Sequence, residues 1–362
     1  MSTLSRVINS KNSISILDCF LFEVAGGQLT ITASDSENMM RTTLALDSSD
    51  GDGRFAVNSQ KIFNAVKELP EQPITLDVDA ATSSVKAIYQ NGMYNFAMMN
   101  ANEYPIIPQM TDDITSLKLP NDVLAGCIAR TVFATAQEEL RQVMNGVYFD
   151  FTPEALVVVA SDGHKLVRNK YYGVKTDAPK SFILPKKPAN LLKNILGKDS
   201  EDVSISFNSR NAEIRFSDIV LQCILIEGKY PNYNSVIPTD NPYHISIDRK
   251  SLMGTLRRVL PFASESSQLV RLHVENGKLE ISSEDTDFST SAKEEVTCDY
   301  SGNTMNIGFK GSSLIETLGN LSGETVTIEL ADPSRPCIIY PNEQAEGLDV
   351  LMLLMPMLLN DY

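Results

Sequence analysis

The sequence predicts an α+β protein built from three repeated units, each holding two helices backed by antiparallel sheets. One signature recurs three times. "GGQLTITASDSEN" carries Asp35, "EALVVVASDGHKL" carries Asp162 and "NGKLEISSEDTDF" carries Asp285, at separations of 127 and 123 residues. Each segment alternates apolar and polar residues and stops at an acidic turn, the pattern of a half-buried strand. A second landmark closes each copy. "EYPIIP", "KYPNYNSVIP" and "LMPMLL" hold Pro105, Pro231 and Pro356, spaced by 126 and 125 residues. Proline suits a unit exit because it ends ladder pairing and fixes φ.

The remaining elements follow the same period. "SRVINS", "ARTVFA" and "RRVLPF" each end a helix-like stretch upstream of the signature. Downstream, "GRFAVNSQKIFNAVKELP", "KSFILPKKPANLLKNILGK" and "MNIGFKGSSLIETLGNL" each read as a short strand entering a helix. "VNSQ" and "FKGSS" offer N-cap residues. In "LPKKP" a proline precedes or opens the first turn, where its missing N–H costs little. Alternating strands then lead to each exit. Units two and three open with a strand, "ITSLKLP" and "YHISIDR", whereas unit one starts five residues before Arg6, the counterpart of Arg130 and Arg258. By its own repeat logic, unit one lacks that opening strand. The expected domains are residues 1–112, 113–240 and 241–362.

Composition narrows the class. With 362 residues and 43% apolar content the chain can bury real cores. The longest apolar run, "LDVLMLLMPMLL", is shorter than the roughly 18–20 residues a membrane helix needs, and it contains Asp349 and Pro356. The N-terminus has no apolar signal core. A soluble, cytoplasmic protein without membrane contact is therefore expected. Cys19, Cys127, Cys223, Cys298 and Cys337 are scattered and odd in number, a reduced-thiol pattern and not a disulfide or zinc framework. With three distant His, no metal, cofactor or catalytic residue is assigned.

Net charge is −15, which read naively argues against a nucleic-acid partner. The distribution reverses that. Six expected helix windows (1–12, 58–69, 120–132, 185–198, 248–260 and 309–321) hold 14 of the 31 Lys and Arg but 4 of the 46 Asp and Glu. They carry +10 and everything else carries −25. If the helices share a face, that face attracts polyanions while the rest repels them. The expected DNA-facing residues are Lys11, Lys61, Lys67, Arg130, Lys186, Lys187, Lys193, Lys198, Arg249, Lys250, Arg257 and Arg258.

"RQVMNGVYFDFTPEALVVVASDGHKLV" (141–167), "LIEGKYPNYNSVIP" (225–238) and the terminal "LMPMLL" resemble the bacterial DNA sliding clamp, the beta subunit of DNA polymerase III. The resemblance spans essentially the whole chain, in order. It implies three clamp-type domains, with two chains joined head to tail as a homodimer into a six-domain ring. Helices would line the hole around double-stranded DNA, bound without sequence preference. It implies a processivity factor and not an enzyme. The implied partners are the DNA polymerase III catalytic subunit, the clamp loader, and mismatch-repair and other clamp-binding proteins.

Carried over residue by residue, the resemblance implies a subunit contact of Tyr94 and Phe96 opposite Pro261 and Phe262. It implies a partner-peptide groove formed by Met144, Ser161, Gly163, His164, Lys165, Leu166, Pro231, Ser235, Val236, Leu353, Leu354, Met355, Pro356 and Met357. Met and Leu beside prolines suit an adaptable apolar slot. Gly163 would let the turn after Asp162 adopt φ > 0. The family's polar DNA neighbour in domain two falls near Gln137 or Glu138. Ser235 stands where the family often has Arg, Ser313 where it often has Tyr, and "LLNDY" lengthens the usual ending. Two rival readings are weaker. Asp162 and His164 as an acid–base pair lack a nucleophile motif, a phosphate-cradling loop or a metal cluster. A protein-binding repeat scaffold without DNA enclosure keeps the triplication but leaves the charge split unexplained.

Overall fold

The structure, a computed structural model, describes residues 1–137, 139–197 and 202–359. Three repeats are visible in the element order. The first runs β1 (Cys19–Ala25), β2 (Gln28–Ser34), β3 (Asn38–Ala45), β4 (Gly53–Asn58), α1 (Ser59–Val66), β5 (Thr75–Asp79), β6 (Ser84–Tyr89) and β7 (Gly92–Met99). The second runs β8 (Thr115–Leu119), α2 (Asn121–Thr131), β9 (Gly146–Phe151), β10 (Leu156–Ser161), β11 (Lys165–Tyr171), β12 (Lys180–Pro185), α3 (Lys186–Ile195), β13 (Val203–Phe207), β14 (Asn211–Phe216) and β15 (Ile219–Ile224). The third runs β16 (Tyr243–Asp248), α4 (Arg249–Val259), β17 (Leu269–Glu275), β18 (Lys278–Asp285), β19 (Thr290–Thr297), β20 (Met305–Lys310), α5 (Gly311–Gly319), β21 (Thr325–Leu330), β22 (Cys337–Pro341) and β23 (Leu348–Leu354).

The expectation of two helices per unit holds in repeats two and three and fails in repeat one. Residues 1–12 form only a short 3-10 turn, Leu4–Arg6, followed by a second at Ser15–Asp18. The local chemistry explains this. Ser5 donates to the Ser2 carbonyl and the Asn12 amide to the Asn9 carbonyl. Such short polar side chains offer the backbone an alternative to helix bonds. The expected caps divide likewise. Asn58 caps α1, accepting from Lys61 N at 3.0 Å, whereas α5 starts after Lys310 with no side-chain cap. Gly311 serves packing there, since a Cβ would meet Val270 and Leu260 at 2.6 and 2.7 Å.

The chain forms two compact units, residues 1–125 with 190–225, and residues 126–189 with 226–362. The first contains an 11-stranded sheet, in the order β5-β6-β7-β4-β1-β2-β3-β15-β14-β13-β8. The second contains an 8-stranded sheet, β12-β9-β10-β11-β23-β22-β21-β16, and a 4-stranded sheet, β19-β18-β17-β20. All ladders are antiparallel, as two-residue hairpins such as Ala25–Gln28 permit.

Sequence repeats and sheets are therefore not coextensive. β3 of repeat one pairs with β15 of repeat two, and β11 of repeat two pairs with β23 of repeat three. These seams are buried. Met40 and Leu221 at the first, and Val167 and Met352 at the second, are at most 1% exposed. In the second unit the main core lies between the helix layer and the sheets, with Leu252 and Leu256 of α4 and Leu314 and Leu318 of α5 against Ile245, Ile328, Met352 and Leu354. In α4 the spacing Leu252, Leu256, Val259 repeats every three to four residues and forms one apolar stripe.

Truncating Met352 to Ala leaves a cavity at the second seam. The expected cost is about 2–5 kcal/mol of unfolding free energy by chemical denaturation. Ile106→Ala, at a side chain 60% exposed, is expected to change stability by under about 0.5 kcal/mol in the same assay.

Candidate nucleic-acid interface and peptide groove

The basic helix residues divide by what holds them. Lys11, Lys61, Lys67, Lys193, Lys250 and Arg257 are exposed, and Lys186 and Lys187 are half-exposed at the start of α3. Lys67 lies 3.7 Å from Glu68. Three arginines are committed to the fold. Arg249 donates from Nε to the Gly323 carbonyl at 2.9 Å and from a terminal nitrogen to the Leu318 carbonyl at 3.1 Å. It thereby satisfies carbonyls at the end of α5, where a cation also meets the negative end of the helix dipole. Arg130 donates from Nε to Asn169 Oδ1 at 2.6 Å. Arg258 grips both carboxylate oxygens of Glu294 on β19, with contacts from 2.7 to 3.1 Å. Hydrogen bonding raises the Arg258 pKa and lowers that of Glu294. A depressed carboxyl stabilises above the usual carboxylate pKa, and that contribution fades as pH falls through the folded value. Both groups are solvent-exposed, so the pair is a weak stabiliser. Lys198 and Glu138 lie outside the described residues, and Gln137 is exposed.

The groove residues converge within the second unit. Asp162 organises the turn between β10 and β11, its Oδ1 accepting from His164 N and Lys165 N, both at 2.9 Å. Gly163 takes φ 91°, as the turn requires. Ser161 Oγ donates to the Lys165 carbonyl and accepts from Gly163 N. The His164 carbonyl accepts from Met355 N at 2.8 Å, and Met357 N donates to the Gly308 carbonyl at 2.8 Å. The last strand is thus stitched to both repeats. Asp162 and His164 make a backbone-shaping turn here.

An apolar floor lies beside that turn. Leu166, Leu353 and Tyr230 are buried in one cluster, with Tyr148 and Met355 packed against it half-exposed. Tyr148 stacks on Tyr230 at 4.7 Å, and Tyr233 closes the stack with its hydroxyl on Asp150. Pro231, Ser235 and Val236 form an exposed rim, and Met144 is 7% exposed. Leu354 points to the other face of β23, into the helix-side core, because strand side chains alternate. Ser235 turns its hydroxyl to the Asn232 carbonyl, and Ser313 lies on α5.

Sequence reasoning missed the partners of Lys165. Its Nζ lies 3.2 Å from Asp162 and 3.2 Å from Glu316, and sits over the Phe133 ring at 5.7 Å. Lys165 is therefore a clip between repeats two and three more than a free cation. Glu316 was visible as one of four acids in the helix windows, and its isolation there was the available signal. Burial drives the Cys223 and Cys337 thiols up to about 12, so neither is a nucleophile near neutral pH. No cluster of three His, Cys, Asp or Glu fit for a metal occurs among the described residues, and no described helix is long and apolar enough to cross a membrane.

Three like domains, exposed lysines on the helices and an apolar cluster at one repeat seam define a clamp-type protein. Residues 1–108, 118–232 and 234–357 match the N-terminal, central and C-terminal domains of the DNA polymerase III beta subunit. The beta sliding clamp of Treponema pallidum is 26% identical over 363 residues, covering 99% of this chain and 96% of that protein. That of Buchnera aphidicola is 23% identical, covering 98% and 96%. A crystal structure of the Pseudomonas aeruginosa sliding clamp superposes with a TM-score of 0.93 at 24% identity, covering 99% of this chain and 96% of that one. The chain belongs to the DNA polymerase III beta-subunit family, the bacterial sliding clamps, which are DNA polymerase processivity factors and not enzymes.

At pH 8, native Cys223 and Cys337 are expected to have about a thousandfold less thiolate than an ordinary thiol. Iodoacetamide should therefore modify them readily in urea and almost not at all in the folded protein, as read by peptide mass spectrometry.

Proposed function

We propose that two copies of this chain close head to tail into a ring that encircles duplex DNA, slides without reading sequence, and tethers a replicative polymerase through the groove beside Met355. The observation that carries this reading is that neighbouring repeats share sheets, β3 pairing with β15 and β11 with β23, while the equivalent third strand of repeat three, β19, pairs among the described strands only with β18. Enclosure frees the protein from gripping its track. Exposed Lys61, Lys193, Lys250 and Arg257 supply attraction to phosphates that salt weakens and sequence does not alter. Retention comes from closure, and a tethered polymerase rebinds its primer end at high effective concentration.

The groove suits a short peptide with Leu or Phe anchors, presented by the polymerase, the clamp loader or mismatch-repair proteins. The apolar floor of Leu166, Leu353 and Tyr230 would take the anchors while Met144 and Met355 adjust around them. With Ser235 and Ser313 on the rim and Lys165 neutralised by Asp162 and Glu316, little free positive charge faces an acidic peptide. We place the protein in the cytoplasm, with the DNA it serves.

Clamp loaded by a clamp loader onto nicked circular DNA is expected to stay bound through gel filtration and to run off once the circle is cut. Equal retention on both forms would leave only a protein-binding scaffold. Met355→Ala or Met144→Ala is expected to weaken a Leu/Phe peptide by about 1–3 kcal/mol in calorimetry, and unchanged affinity in both would remove the groove assignment.

A further inference from the structure

The first helices of repeats two and three carry the same short device. α2 holds Gly126 and Arg130, and α4 holds Gly254 and Arg258, four residues apart in both. In each, the guanidinium lies back over the glycine. A Cβ on Gly126 would meet a terminal nitrogen of Arg130 at 3.0 Å, and one on Gly254 would meet a terminal nitrogen of Arg258 at 3.3 Å. Both arginines reach the third strand of their own repeat at the same register. Val158, four residues before Asp162, lies opposite Asn169, and Ile281, four residues before Asp285, lies opposite Glu294. Arg130 donates to Asn169, and Arg258 donates to Glu294. In repeat one, which lacks the helix, the matching residue is Thr42, which donates to Asp218.

The two devices differ in charge. Asn169 is neutral and fully buried, and it holds Arg130 through one bond of 2.6 Å. Glu294 accepts three bonds from Arg258, two from Nε at 2.9 and 3.1 Å and one from a terminal nitrogen at 2.7 Å. That terminal nitrogen also donates to Thr255 Oγ1 at 3.1 Å. Hydrogen bonding from Arg258 lowers the Glu294 pKa, so the carboxylate stays ionised at neutral pH. Arg258 is thus fixed on the solvent side of α4, beside exposed Lys250 and Arg257, while Leu252, Leu256 and Val259 face the core. We propose that Glu294 is a positioning residue for DNA contact: it withholds Arg258 from the phosphate backbone, so that α4 attracts duplex DNA through Lys250 and Arg257 without an arginine grip. The proposal rests on the DNA-enclosing reading above and adds a residue that weakens the contact.

The physical reason lies in what a free guanidinium does. Its planar fork matches two phosphate oxygens, and such charge-assisted bonds are about twice as strong as neutral ones. The Arg258 side chain is 61% exposed, so a phosphate can reach it once Glu294 lets go. With the fork already filled by a carboxylate, a phosphate must displace one anion and approach its charge, which is unfavourable. The lysine ammonium of Lys250 has no such fork and acts as a hydrated point charge. Gly254 leaves the guanidinium room to lie along the helix. An exposed ion pair of this kind contributes little to stability, so its consequence falls on binding. Asn169, by contrast, holds Arg130 in place without cancelling its charge.

The test is a double-mutant cycle on the full chain, read by fluorescence anisotropy of a labelled linear duplex across a salt series. Glu294→Gln keeps an acceptor beside Arg258, as Asn169 does beside Arg130, and removes the charge. It is expected to tighten DNA binding about three- to tenfold at low salt and to steepen the log–log salt slope by about 0.9, the mark of one added phosphate contact. In an Arg258→Gln background the same change is expected to alter affinity by less than about twofold. An equal gain in both backgrounds would show Glu294 acting only as bulk negative charge and would overturn the proposal, as would no gain in either. The double variant Lys250→Gln, Arg257→Gln separates this proposal from the reading beneath it. Weaker binding with a flatter salt slope in that variant, beside no response to Glu294→Gln, would strike the role of Glu294 and leave α4 facing DNA. No response to either change would strike both.

Discussion

Everything in this molecule depends on strand edges being paired across repeat boundaries. A β-edge presents a row of unpaired donors and acceptors, and a small repeat cannot hide that row by itself. Here the third strand of a repeat is completed by the last strand of its neighbour, twice within one chain. The seams are as dry as the domain cores, with Met40, Leu221, Val167 and Met352 at most 1% exposed.

The charge is divided unevenly between helices and strands, but less simply than a count of charges suggests. Lysines at helix ends stay exposed, while Arg249, Arg130 and Arg258 are drawn into carbonyl, amide and carboxylate contacts. Arginine's planar fork makes it the better structural donor, whereas the mobile lysine ammonium remains a diffuse charge. For a protein that must attract a polyanion without fixing its position, that division of labour is favourable, since every tight phosphate contact raises the barrier to sliding.

The two internal seams are topological equals but differ in side-chain chemistry. At the second, Leu353 and Leu166 lie over a Tyr148–Tyr230 stack. At the corresponding places of the first stand Gln222, which donates to Glu213, and Met39, with Arg41 3.6 Å from Glu213. His164 and Lys165 correspond there to Glu37 and Asn38. Polar groups thus stand beside Met39 at the first seam where Leu353 and the tyrosine stack stand beside Leu166 at the second.

Spacing and residue type determined the triplication, the strand–helix–strand order of each copy, the turns at Asp35, Asp162 and Asp285, the positive φ at Gly163 and the charge contrast between the helix windows and the rest. These are local or periodic properties, carried by spacing and residue type. The absent helix at residues 1–12 was not legible, because Ser5 and Asn12 divert the backbone through bonds that a charge-and-apolar pattern does not register. The turn at Asp162 was readable from residue type. The loss of Leu354 to the opposite face, the capture of Lys165 by Glu316 and the capping of α5 by Arg249 were decided only by tertiary structure. Each joins residues far apart in the chain, and which of two faces or partners a side chain takes is set by packing, not by sequence spacing.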